Sequence, residues 1–169
     1  MSGFWEYGGY GHSGYYGHKT EQLMELFKAG GSVIEEGPLE FIVWAWNNFN
    51  AASVWSCQGH PDDCNYKGYI TWIFETPEAH IRFMMFMNEI QSWMRIHGDK
   101  AVHAFQLESD PLYHPTTDYD TMGVPALTLR TMPFHNNRIR NRWWTELLET
   151  ANKIKGFKRH QTKTTQGDI

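Results

Sequence analysis

Ala51-Ala52-Ser53-Val54-Trp55-Ser56-Cys57-Gln58-Gly59-His60-Pro61 is the stretch on which the reading of this chain turns. Its first seven residues form a short apolar run with the length of a buried strand, and the next four supply an amide, a glycine, an imidazole and a proline. Gly59 lets the backbone adopt φ > 0 or pass close to another group, and Pro61 sets the exit. Polar groups are thereby displayed at the end of a strand. The residues from Gly68 to Glu75 alternate Ile70, Trp72 and Phe74 against Tyr69, Thr71 and Ile73, which predicts a second strand after the loop.

Gly37-Pro38 predicts the start of a helix preceding the first strand, with Leu39, Ile42, Val43, Trp46 and Phe49 forming its buried stripe. A shorter helix is expected before it, capped by Thr20, running through Leu23, Met24, Leu26 and Phe27 and ended by Gly30-Gly31. Thr76-Pro77 is a cap followed by a first-turn proline and opens a long helix to about His97, where Gly98 stops it. Phe83, Phe86, Met87, Ile90, Trp93 and Met94 face inward there, and its four methionines are read as adaptable core filling. Ala101 to Glu108 is the third strand, the polar segment from Asp110 to Met122 a loop, and Val124 to Met132 the fourth strand. A final helix from about Asn137 to Lys155 buries Trp144, Leu147, Leu148, Ala151 and Ile154, with Gly156-Phe157 as its C-terminal stop.

This order predicts an α+β fold: a single domain with a four-stranded, mostly antiparallel sheet covered by helices. Residues 1–19 alternate glycine with Tyr, Phe, His and Ser and read as a flexible Gly/Tyr-rich arm; residues 20–159 form the domain, and residues 160–169 a polar tail. A chain of 169 residues holds one full core and not two.

No apolar run approaches the roughly 20 residues of a membrane span, and the start lacks the apolar stretch of a signal peptide. A soluble, cytoplasmic protein is expected, with no membrane partner. Its two cysteines are too few for a disulfide scaffold. The formal charge of −4 is uneven: from His135 onward there are eight Lys or Arg against three Asp or Glu, and before it seven against sixteen. An acidic body repels duplex nucleic acid, whereas one basic corner suits a small anion. Self-association into a homo-oligomer is left open.

Several constellations offer chemistry. Cys57-x2-His60-x3-Cys64 has ligand types that zinc takes, with Asp62 and Asp63 between them. A structural zinc needs four ligands, and His114 or His135 would have to come from far away, so the preferred reading has no metal and treats Cys57 as a small buried hydrophobe. Of nine histidines, His60, His103, His114 and His135 fall in or beside strand-end loops, while His12, His18, His80, His97 and His160 read as solvated. Arg138, Arg140 and Arg142 crowd the first turns of the final helix, where the dipole disfavours cations; a bound anion would reverse that penalty, and salt bridges to the acidic body are the plainer alternative. Arg130 on the fourth strand is placed to join either arrangement.

Three stretches are similar to the wybutosine-synthesising protein 3 family of tRNA-modifying methyltransferases. They are Ser56-Cys57-Gln58-Gly59-His60, Phe105-Gln106-Leu107-Glu108-Ser109-Asp110-Pro111-Leu112-Tyr113-His114, and Leu147-Leu148-Glu149-Thr150-Ala151 through Gly156-Phe157-Lys158-Arg159. The resemblance implies the fold, S-adenosylmethionine as cofactor, a transfer RNA substrate and Ser56, Cys57 and Gly59 as site residues. His60 stands where that family's motif has arginine, and the serine expected after the closing Gly-Phe-Arg is missing. The S-C-x-G-H-P loop also looks like that of small phage proteins of unassigned role.

These observations converge on a binding protein for a small nucleotide-like anion, such as a nucleotide immune signal sequestered by a phage counter-defence protein in its host's cytoplasm. Trp55 and Tyr113 would stack the base, Ser56, Cys57, Gly59 and His60 would contact it, and Arg130, Arg138 and Arg140 would neutralise phosphate. The alternative is an enzyme, either a methyltransferase using S-adenosylmethionine or a phosphodiesterase using His60 with His114 or His135.

Overall fold

The computed structural model describes residues 34–63, 67–74, 76–97, 105–109, 111–112 and 124–167. In chain order the elements are α1 (Glu36–Phe49), β1 (Ala52–Cys57), β2 (Tyr69–Ile73), α2 (Pro77–His97), β3 (Phe105–Glu108), β4 (Pro111–Leu112), β5 (Val124–Thr131) and α3 (Asn137–Gly167). The strands lie in the order β1-β2-β5-β3, every neighbouring pair antiparallel. The fold is the expected single α+β domain. The arm at residues 1–19, the short helix from Thr20, Cys64, Gly98, His103, Tyr113 and His114 all lie outside the described residues.

Pairing in the sheet decides what each face carries. On β5, Leu127 and Leu129 stand opposite Trp72 and Ile70 of β2, and Leu129 also faces Leu107 of β3. The helices cover this face. Trp72 meets Phe41 of α1 and Phe83 of α2 edge-on, with centroids 6.1 and 4.9 Å apart, and Phe105 meets Trp143 of α3 at 6.2 Å. Ile70, Leu129, Met87, Ile90, Leu147 and Ala151 have no exposed surface. Burying each large apolar side chain contributes about 1.5–3 kcal/mol, so this layer dominates the stability of the domain. The other face carries Trp55, Cys57, Tyr69, Thr71, Thr128, Arg130, Gln106 and Glu108, and the Thr71 and Thr128 hydroxyls bond across it at 2.9 Å.

Helix ends follow local chemistry. The Thr76 hydroxyl accepts from the Ala79 amide and Pro77 opens α2; the Asn136 side chain accepts from the Ile139 amide and caps α3. α1 begins two residues before Pro38, which is harmless because amides of the first turn have no intrahelical acceptor. Asn50, at φ 52, ends it in the left-handed conformation.

Four expectations are corrected. The buried stripe of α1 is Phe41, Ile42, Ala45 and Phe49, while Leu39, Val43 and Trp46 are exposed. Apolar residues lie all round this helix, so spacing alone does not select the stripe that faces Trp72 and α3. In α2, Met87 and Met94 are core, Met84 is half-buried and Met85 is exposed. Pro111–Leu112, expected in a loop, pairs with Pro125 and Val124 and continues β3 without a change of register. Finally, α3 does not stop at Gly156 but continues to Gly167. A glycine stop needs φ > 0, which Gly156 does not have, and an internal glycine costs a helix only about 1 kcal/mol. The segment beyond Arg159, read as a tail, therefore belongs to the helix backbone as far as Gly167.

No described helix is long and apolar enough to cross a membrane.

Candidate functional site

Gly59 has φ +90, the positive value expected of the loop, and this turn brings its amide to 3.4 Å from the Cys57 sulfur. A side chain here would have no room. A Cβ on Gly59 would lie 2.8 Å from the Phe134 ring, one on Gly68 2.8 Å from the Trp144 ring, and one on Gly37 2.9 Å from both Gln58 and Trp144. Gly37 and Gly68 thus let Gln58 and Trp144 pack against bare backbone, and Gly59 does the same for Phe134.

Gln58 is the residue the loop is built on, although its neighbours in the motif carry the more obvious chemistry. Its amide donates to Glu35 Oε1 at 3.1 Å, its carbonyl accepts from Trp144 Nε1 at 3.0 Å, and its side-chain Oε1 accepts from the Gly37 amide at 3.2 Å. That last bond satisfies an orphan amide in the first turn of α1. The loop is tied to α3 as well: Arg140 Nη1 donates to the Gly59 carbonyl at 3.2 Å, and Asn137 Nδ2 to Asp62 Oδ2 at 3.3 Å. Residues 58–62 consequently lie between the N-terminal ends of two long helices, where partial positive charge collects.

Beside the loop runs a groove of about 850 Å³, lined among others by Glu36, Glu40, Gln58, Arg140, Asn141 and Trp144. Its size is in the range of small-molecule sites, about 300–1,000 Å³. Carboxylates lie along the α1 side and a guanidinium along the α3 side.

At the loop's inner edge, His60 Nε2 lies 3.0 Å from Glu35 Oε2, with both side chains partly exposed. Glu35 therefore uses one oxygen on the Gln58 amide and the other on His60. Cys57, which ends β1 and is 7% exposed, completes a group in which one carboxylate oxygen, one imidazole nitrogen and the sulfur all lie within 4.8 Å of one another. Tyr69 stands opposite Cys57 in the sheet. Burial raises the pKa of its phenol; Cys57 and Glu35 add to that, and Arg130 opposes it.

The structure brings Cys57, Gly59, His60 and Arg140 to the loop, and the other expected site residues among those described stand outside this group. Trp55 and Arg130 project from the sheet face away from the helices and the groove, and Arg130 pairs with Glu108 at 3.1 Å. Ser56 stands opposite Ile70, on the helix-covered side. Arg138 and His135 are exposed at the start of α3. Arg142 pairs with Glu146 one turn along the same helix at 2.7 Å, and not with the acidic body. His80, read as solvated, is buried, stacked on Phe74 with the rings 4.8 Å apart, and burial lowers its pKa. Glu35 and Trp144 complete the site, and neither stands near the loop in sequence. No protein-family model, curated protein or solved structure matches the chain.

Proposed function

We propose that the protein binds a small nucleotide-like anion in the groove between α1 and α3, without converting it. The observation that carries this reading is the contact between Arg140 and the Gly59 carbonyl, beside a groove at which two helix N-terminal ends converge. Two helix dipoles and a guanidinium suit a phosphate or carboxylate. The carboxylates of Glu36 and Glu40 on the opposite wall suit the amino and imino donors of a nucleobase edge. A groove of this polarity fits a ligand with a negative end and a hydrogen-donating heteroaromatic end. Sequestration of a nucleotide signal, as in phage counter-defence, is a purpose consistent with binding alone.

The test is calorimetric titration of the full chain with mono-, di- and cyclic nucleotides, followed by denaturation and mass spectrometry of the nucleotide. Binding at a 1:1 ratio is expected. Arg140→Ala removes a charge-assisted contact and weakens it by about tenfold or more, corresponding to about 1.5–3 kcal/mol. Trp55→Ala leaves it unchanged. Failure of every nucleotide to bind, or affinity indifferent to Arg140→Ala, overturns the reading. A chemically altered nucleotide replaces it with the enzyme alternative, a methyltransferase or a phosphodiesterase.

A further inference from the structure

We infer that Glu35, Cys57 and His60 form a binding site for a zinc-class divalent metal ion. The residues come from the residue capping α1, the end of β1 and the loop after it, and their donor atoms converge to within 4.8 Å of one another. One oxygen, one nitrogen and one sulfur are the three donor types that zinc accepts, at about 2.0–2.3 Å from the ion. Those bond lengths place tetrahedral donor atoms about 3.3–3.6 Å apart, so the His60–Glu35 pair at 3.0 Å opens slightly and the Cys57 sulfur, within 4.8 Å, closes by up to about 1.2 Å.

Three further features favour a metal over a simple ion pair. Metal binding needs the thiolate, and the Gly59 amide, aimed at the Cys57 sulfur from 3.4 Å, stabilises negative charge there. The Glu35 carboxylate is oriented by the Gln58 amide, the kind of outer hydrogen bond that holds a metal ligand in place. Charge also balances: a divalent ion with one thiolate and one carboxylate makes a neutral, half-buried unit, whereas the thiolate and carboxylate alone would repel.

The arrangement is less suited to a thiol nucleophile activated by a His-Glu pair. There the acid and the thiol address opposite imidazole nitrogens, whereas here one nitrogen lies within 4.8 Å of both. The thiolate and imidazole select zinc, cobalt or nickel over magnesium or calcium. Among the described residues three protein donors converge, which leaves a fourth position for a further ligand.

The experiment uses the full chain, stripped with a chelator under reducing conditions and titrated with cobalt(II) alone. Binding of one equivalent is expected, with intense tetrahedral d–d bands and a sulfur-to-cobalt charge-transfer band that zinc(II) abolishes. Cys57→Ser removes the charge-transfer band, Glu35→Gln and His60→Asn each weaken binding by about tenfold or more, and Cys64→Ser changes nothing. Circular dichroism checks that each variant folds. Absence of cobalt binding, a charge-transfer band that survives Cys57→Ser, or a band lost in Cys64→Ser overturns the proposal. If Cys57→Ser fails to fold, Glu35→Gln decides: weaker affinity with the band retained supports the site, and unchanged affinity overturns it. No nucleotide enters the assay, so its outcome is independent of the ligand reading.

Discussion

The indole Nε1 of Trp144 donates to the backbone carbonyl of Gln58 at 3.0 Å, joining residues 86 positions apart. Trp144 is 2% exposed and Gln58 half-buried, so water replaces the bond only in part. Trp144→Phe keeps most of the ring volume and leaves the Gln58 carbonyl without this donor. A loss of about 1–3 kcal/mol in urea unfolding is expected, against about 3–5 kcal/mol for Trp144→Ala, which also opens a cavity. Unchanged stability in Trp144→Phe would show that the bond contributes nothing.

Gly59 and Gly156 make opposite predictions for the same substitution. Gly59→Ala meets a left-handed backbone cost of about 1–2 kcal/mol and an overlap with the Phe134 ring, so it destabilises by more than the backbone term alone. In Phe134→Leu the ring is gone and the added cost of Gly59→Ala shrinks, which a double-mutant cycle measures. Gly156→Ala meets nothing within 4 Å inside a helix and raises stability by about 0.5–1 kcal/mol.

His80 makes the fold sensitive to acid. Burial lowers its folded-state pKa, so below the unfolded value of about 6.5 the unfolded chain takes up a proton that the native state refuses. Stability falls as pH drops from about 6.5 toward the depressed native pKa, and this group contributes no slope above that window. His80→Phe keeps a ring against Phe74 and removes the titration. Urea midpoints at about pH 7.5 and about pH 5 test this: wild type loses more stability between them than the variant does.

Arg130 and Glu108 form a surface pair, 45% and 39% exposed. Such pairs contribute about 0–1 kcal/mol, so Arg130→Ala changes the urea midpoint little. It also leaves nucleotide affinity unchanged, because Arg130 stands across the sheet from the groove. A large affinity loss would move the ligand to the other face.

Much of the fold is legible in sequence because its signals are local. Thr76-Pro77 states where α2 begins, and the apolar run to Cys57 followed by Gly59 states where β1 ends and the chain turns. The site is legible only by half, since its other half comes from distant residues. Nothing near Glu35 announces that its carboxylate meets residues 23 and 25 positions later, and only the packing of α1 against the end of β1 reveals it. Trp143 and Trp144 are both buried although they are adjacent, because one reaches Phe105 and the other the Gln58 loop. Gly156 misleads for the converse reason: a glycine without a positive φ carries no stop signal, and the residue type does not disclose its φ.

The Trp144–Gln58 bond also orders events in time. A nascent chain that has emerged from the ribosome only as far as β2 holds every residue of the 57–62 turn but lacks the indole, guanidinium and carboxamide of α3 that pin it. The turn is therefore pinned only once α3 has been translated and docked, so truncated products that retain its residues lack three of its ties.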